Sequence, residues 1–118
     1  KLPGILRHVP VVRDVLDIMR AGESLRLRSV HADGGPSRNR FLMQFTADLT
    51  RTEIKVAQVA ECSAWGAAMS GLLGLGIYRS LNELAALRRE TFSFKPKMSP
   101  SKSKQLHRQW LAAVERVL

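Results

Sequence analysis

Two short runs of strand-type sequence stand on either side of one helical run, and that order constrains the fold more than any other feature of the chain. Leu25–Ala32 (LRLRSVHA) carries Leu25, Leu27 and then Val30, in the near alternation of a half-buried strand. Glu53–Val59 (EIKVAQV) alternates Ile54 and Val56, with Gln58 next in step. Between them, Arg38–Leu49 repeats Phe41, Leu42, Phe45 and Leu49 at the spacing of one helical face. A strand, a helix and a strand in succession form a crossover, so the two strands are expected to lie parallel with a right-handed connection. Further helical patterns flank this unit. Val11–Met19 has Val11, Val12, Val15, Leu16 and Met19 as its apolar positions, with Pro10 suited to its first turn and Gly22 to its end. Ser63 can cap a helix that runs to about Leu73, where Gly74 and Gly76 break it. Leu81–Leu87 is a short helix, and Gln105–Leu118 is a final amphipathic one with Leu106, Trp110, Leu111, Val114 and Val117 on its apolar stripe. Thr91–Ser103, with two prolines and several lysines, reads as a loop. The class is α/β. A sheet of two strands is thin and needs more strands to cover its edges, which points to a domain larger than these residues.

A chain of 118 residues suffices for one compact domain, and an apolar content of 45% excludes disorder along its whole length. Cys62 is the single cysteine, so no disulfide forms within the chain, and an intracellular, cytoplasmic setting is expected. Residue 1 is Lys, not Met, and the expectation is that either a leader was removed or the chain is a piece of a longer protein. The segment Cys62–Tyr78 has no charged residue over 17 positions but holds four glycines, and it reads as a helix buried against the sheet, with no membrane span expected. His8, His31 and His107 are too scattered to suggest a metal site. The net charge is +9, and six of those charges come from residue 88 onward, where eight basic residues stand against Glu90 and Glu115. This balance keeps open a small basic nucleic-acid-binding or interaction module, which would be marked by an affinity that falls steeply with salt. Against it, the basic residues do not cluster on one helix with aromatic residues between them.

The junction His31–Phe45 (HADGGPSRNRFLMQF) concentrates the chemistry. Gly34 and Gly35 can adopt backbone angles closed to other residues, and they place no Cβ in the way of an approaching ligand. Pro36 suits the first helical position. The first-turn amides and the positive end of the helix dipole would then face an anion such as a phosphate. Asn39, in that first turn, could read a ribose or a base edge. Asp33 stands at the strand's carboxyl end, where open α/β sheets bind ligands. Taken alone, the glycines more often mark a plain tight turn, because no complete P-loop or dinucleotide pattern is present.

The ordered series Asp33-Gly34-Gly35, Asn39, Phe41-Leu42-Met43-Gln44-Phe45, Ala47-Asp48, Glu61, Ser63-Ala64 and Gly66-Ala67-Ala68 closely resembles the carboxyl-terminal part of the FGGY carbohydrate kinases. The wording of FLMQF is nearest the glycerol kinase branch. Arg13–Asp17 (RDVLD) resembles the helix before the family's glycine turn, and Trp110 with Ala113-Val114 resembles its closing helix. The likeness covers about Val11–Leu118.

This resemblance implies part of an actin-like ATPase (ribonuclease H-like) domain, with short parallel strands flanked by helices. The chain would be the carboxyl-terminal portion of the kinase's second domain, with ATP in the cleft between two domains. It also implies nucleotide contacts at Gly35 and Asn39, with Gly34 and Asp33 supporting the turn. The small-residue helix at Gly66-Ala67-Ala68 would pack beside them and shape the adenine pocket. The parent would use ATP and Mg²⁺ to phosphorylate a sugar or polyol, with the metal held mainly outside this chain. The family's catalytic Asp lies at the start of the second domain. No catalytic or metal-binding residue is therefore assigned here, Asp14, Asp17, Asp33 and Asp48 included, and the 118 residues alone are expected to be inactive. A homo-oligomer is expected if truncated edges and apolar faces are left open. Three departures from the family are visible. Lys1–Pro10 does not match in register, with Leu6 where a Glu is usual, and Trp65 is bulky where Leu is common.

Overall fold

The computed structural model describes residues 4–22, 27–58, 62–87 and 90–116. Ser29–Ala32 (β1) pairs in parallel with Glu53–Ala57 (β2), with Val30 opposite Ile54 and Ala32 opposite Val56. The expected strand limits at Leu25 and Val59 lie outside the described residues. The crossover between the strands carries helix α2 (Arg40–Thr50). Ile54 and Val56 are buried while Glu53, Lys55 and Ala57 are half-buried, so the strand alternates as its sequence does.

Thr91–Ser103 is not the loop its prolines suggest. Thr91–Phe94 forms a third strand, β3, antiparallel to β2, with Phe94 opposite Ile54 and Phe92 opposite Val56. A β-branched residue and two aromatic residues in four positions suit a pleated surface. The prolines bracket structure instead of breaking it. Pro96 follows the strand, and Pro100 opens the last helix, α5 (Pro100–Glu115), where its missing N–H has no partner to lose. Ser99 caps that helix, its hydroxyl accepting from the Lys102 N–H at 3.3 Å. The final helix thus begins five residues before the expected Gln105.

The core sits between α2 and one face of the sheet. Val9, Leu42, Met43, Ala47, Leu49, Ile54 and Val56 form it, and Leu6, Val30, Ala32, Phe45, Phe94 and Leu106 pack against it. The helix α1 (Val9–Gly22) follows a 3₁₀ turn at Gly4–His8, and Pro10 is fully buried in its first turn. Helical periodicity identified the wrong face of α1. Leu16 is buried, but Val11, Val12, Val15, Ile18 and Met19 are exposed. The inner face instead carries Arg13 and Arg20, used as polar ties. The Arg13 guanidinium donates to the carbonyl of Leu49 at 3.1 Å, to the carbonyl of Ser103 at 3.2 Å and to its hydroxyl at 2.9 Å. Arg20 donates to the Thr50 carbonyl and the Thr52 hydroxyl, and Asp17 accepts from both arginines.

Helix α3 (Cys62–Gly74) departs most from expectation. It was expected to be buried against the sheet, yet Met69 alone among its residues is buried. Its surface is apolar and small nearly all round, so no polar side opposes an apolar one to choose a packing face. A second short helix, α4 (Leu81–Ala86), follows it and is capped by Ser80. No helix of the described residues is long and apolar enough to cross a membrane.

Asp48 closes the unit. Its Oδ1 accepts from the Lys97 N–H at 2.6 Å, the Met98 N–H at 3.1 Å and the Gln44 side-chain amide at 3.1 Å. This pins the β3–α5 connection to α2. Asp48→Ala leaves two backbone donors without their acceptor and is expected to lower unfolding free energy by about 1–3 kcal/mol. Asp33→Ala, at an exposed carboxylate, is expected to change it by less than about 0.5 kcal/mol. Urea unfolding of the two variants side by side checks the difference, and equal losses would count against the pinning role.

Candidate functional site

Because β1 and β2 are parallel, both end at the same edge of the sheet. Beyond Ala32 the chain passes Asp33 to Gly34, whose φ of 86° and ψ of 177° lie in a region that side-chain-bearing residues rarely enter. Gly35–Arg38 then forms a short 3₁₀ helix with Pro36 near its start. The Gly34 carbonyl accepts from the Ser37 N–H at 3.1 Å and from the Ser37 hydroxyl at 2.7 Å, and Ser37 is buried. The bend is therefore held from inside by one serine.

One helix was expected to run from Arg38 with Asn39 in its first turn. Instead the chain forms two elements with Asn39 between them. Its backbone is extended, at φ −79° and ψ 99°, and its Oδ1 accepts from the Leu42 N–H at 3.0 Å to cap α2. The cap commits the carbonyl oxygen of the Asn39 side chain. Its amide nitrogen donates to no other group among the described residues, and the residue is exposed.

Two grooves open at this edge. The first, of about 600 Å³, lies on the sheet face away from α2 and is walled by His31, Asp33, Lys55, Cys62 and the Leu84–Leu87 segment. The second, of about 420 Å³, lies on the α2 side and is walled by Gly34, Ser37, Arg38, Arg40, Phe92 and Phe94 together with the end of β2. Asp33 and Gly34 thus each line a groove, while Gly35 and Asn39 are exposed on the turn itself and line neither. Gly66, Ala67 and Ala68 do not join the site. They are exposed, and only Cys62 of their helix reaches a groove. Trp65 lines neither groove, and Glu61 lies outside the described residues.

The other acidic residues serve the scaffold. Asp14 accepts from His107 Nε2 at 2.5 Å and from Trp110 Nε1 at 3.0 Å, tying α1 to α5, and Asp17 and Asp48 are bonded as described. Among the described residues no group of three or more His, Cys, Asp or Glu side chains is placed to hold a metal ion. Sequence reasoning overlooked Arg40, whose guanidinium carbon sits 5.9 Å from the centroid of the Phe92 ring. The available signal was the pair of arginines flanking Asn39. The partner ring was hidden in the segment read as a loop.

The likeness to a solved structure places this α/β arrangement in the class of actin-like ATPase folds. The solved structure of Plasmodium falciparum glycerol kinase with ADP matches 96% of this chain with a TM-score of 0.80 and 31% identity, and the match covers 23% of that protein. The model of the C-terminal domain of the FGGY family of carbohydrate kinases matches residues 10–75, and the chain belongs to that family. Glycerol kinase from Alkaliphilus metalliredigens is 38% identical over 106 residues, which is 90% of this chain, and that from Psychromonas ingrahamii is 41% identical over 103, which is 87%. The chain spans 21% and 20% of those two proteins, about a fifth of their length.

The two glycines should respond differently to a methyl group. A Cβ at either position meets nothing within 4 Å, but only Gly34 has a positive φ. Gly34→Ala is expected to cost about 1–3 kcal/mol of stability through backbone strain alone. Gly35→Ala is expected to show no loss. Thermal unfolding of both variants decides the matter, and matching losses would overturn the assignment of the strain to Gly34.

Proposed function

We propose that this chain is the nucleotide-facing part of the second domain of a carbohydrate kinase that phosphorylates a polyol, glycerol first among candidates, at the expense of ATP. The observation that carries this reading is the bend Asp33–Asn39. Its one left-handed glycine brings bare main chain to a groove, at the sheet edge where α/β folds bind ligands. The likeness to a glycerol kinase described with ADP supports the same reading.

In this proposal Gly34 and Gly35 admit the nucleotide against the backbone, and the Asn39 amide nitrogen donates to its ribose or base. Asp33 borders the neighbouring groove and supports the turn. ATP supplies the transferable γ-phosphoryl group when bound. Phosphoryl transfer relies on positioning and charge stabilisation from both walls of a cleft. This chain provides part of one wall. In this proposal the Mg²⁺ that the family implies is held mainly by other parts of the parent. The catalytic base is assigned there as well, in a cytoplasmic parent.

The full-length protein is expected to release ADP in a glycerol-dependent manner, and these 118 residues alone to release none. Turnover by the segment alone would refute the division of labour. Within the full-length protein, Asn39→Ser keeps a capping oxygen but removes the amide donor. Its ADP dissociation constant is expected to rise about tenfold with an unchanged melting temperature. An ADP affinity equal to that of the wild type would remove Asn39 from the site.

A further inference from the structure

We infer that the β3–α5 connection and the first turns of α5 form a docking surface for an acidic segment of a partner protein, held by Arg51, Lys95, Lys97, Lys102, Lys104 and Arg108. Because β3 runs antiparallel to β2, with Phe94 opposite Ile54, it leaves the sheet where β1 and β2 begin. The surface therefore lies at the edge opposite the glycine bend and its two grooves.

From Thr91 to Val114 the chain contains no Asp or Glu, while it carries four lysines and Arg108. All five of these cations are exposed, and so is Arg51 at the end of α2. None of the six forms an ion pair with a described residue. His107 is already bonded to Asp14. Asp48 is the carboxylate built into this region, half-buried beneath the connection with its Oδ1 occupied by the Lys97 and Met98 N–H groups and the Gln44 amide. One carboxylate against six cations leaves a strong positive excess. The amides at the start of α5 add to it.

The connection that displays these charges is fixed at successive residues. The Gln44 side-chain amide donates to the Lys95 carbonyl at 2.8 Å, and Asp48 holds the Lys97 and Met98 N–H groups. The Arg51 guanidinium donates to the Met98 carbonyl at 2.7 Å and keeps further N–H donors for an outside acceptor. Ser99 caps α5. Lys102 and Lys104 follow within two turns, and Arg108 lies one turn beyond Lys104 on the same side of the helix. A partner therefore orders long side chains but no main chain, which lowers the cost of binding.

The composition of the surface selects among anionic partners. Single-stranded nucleic acid is held by aromatic rings interleaved with cations, and Lys95–Arg108 contains no Phe, Tyr or Trp. A bilayer takes up helices that present an apolar side outward. Here Leu106 packs against the core and Trp110 is bonded to Asp14, so α5 turns that side inward. Carboxylates need neither rings nor an apolar stripe. Opposite charges across such an interface speed association and fix register.

Fluorescence anisotropy of a labelled oligoglutamate peptide mixed with the full-length protein tests the surface. Binding is expected at low salt and is expected to weaken at least about tenfold between roughly 0.05 and 0.3 M salt. An oligoglutamine peptide is expected not to bind. Lys102→Gln combined with Lys104→Gln is expected to weaken the peptide about tenfold with an unchanged melting temperature, and Arg79→Gln, on the α3–α4 connection, by less than about twofold. Lys95→Gln with Arg108→Gln reads the same surface should the first pair disturb the fold. No binding of oligoglutamate, or equal weakening by Arg79→Gln, overturns the inference. Tighter binding of single-stranded DNA or of phosphatidylserine vesicles, lost in the same double variants, also overturns the assignment to an acidic protein segment. ADP affinity is expected to be unchanged in these variants, so either outcome leaves the nucleotide reading to its own test.

Discussion

Parallel pairing of β1 with β2 is the constraint on which the remaining structure depends. Two parallel strands cannot be joined by a tight turn, so the chain has to cross over through α2. That crossover buries one face of the sheet and supplies Leu42, Met43, Ala47 and Leu49 to the core. It also brings both strand ends to a single edge. Asp33 and Gly34 leave β1 where Ala57 and Gln58 leave β2, and the two grooves open there.

The scaffold beneath that edge is tied by polar contacts as much as by apolar packing. Arg13 and Arg20 face inward from α1 and satisfy main-chain carbonyls at the end of α2, which accepts what helical bonding leaves unpaired there. Arg51 ends α2 in the left-handed conformation and reaches back to the Met98 carbonyl. Asp48 holds the same connection from the other side. Every buried side-chain polar atom among the described residues has a partner, as a polar interior requires. The RDVLD and Ala-Asp portions of the family series therefore maintain the architecture, while the Asp-Gly-Gly…Asn portion shapes the edge.

Much of this was readable from residue spacing. The strand–helix–strand order, the parallel pairing and the position of the glycine bend followed from period-2 and period-3.6 patterns over Val30–Val56. Three features were not readable, each for a physical reason. β3 was masked because Pro96, Pro100 and the lysines around them signal a loop, although prolines next to an element are compatible with it. The buried side of α1 was misjudged because periodicity counts apolar residues, and two arginines with carbonyl partners occupy the inner positions. The exposure of α3 was missed because a small, uncharged helix has no polar face against which to orient it.

The sequence by itself determined local geometry. A left-handed backbone at Gly34, a cap at Asn39 and a helix start at Pro100 are set by side chains a few residues apart, whose steric and hydrogen-bonding preferences act without the rest of the chain. Tertiary structure alone decided which distant groups meet. The seating of Arg40 on Phe92 needs a strand 52 positions later to return antiparallel to β2, and the bond between Asp14 and His107 joins residues 93 apart. Such contacts arise from the packing of whole elements around a shared core, and no local preference in the chain encodes them.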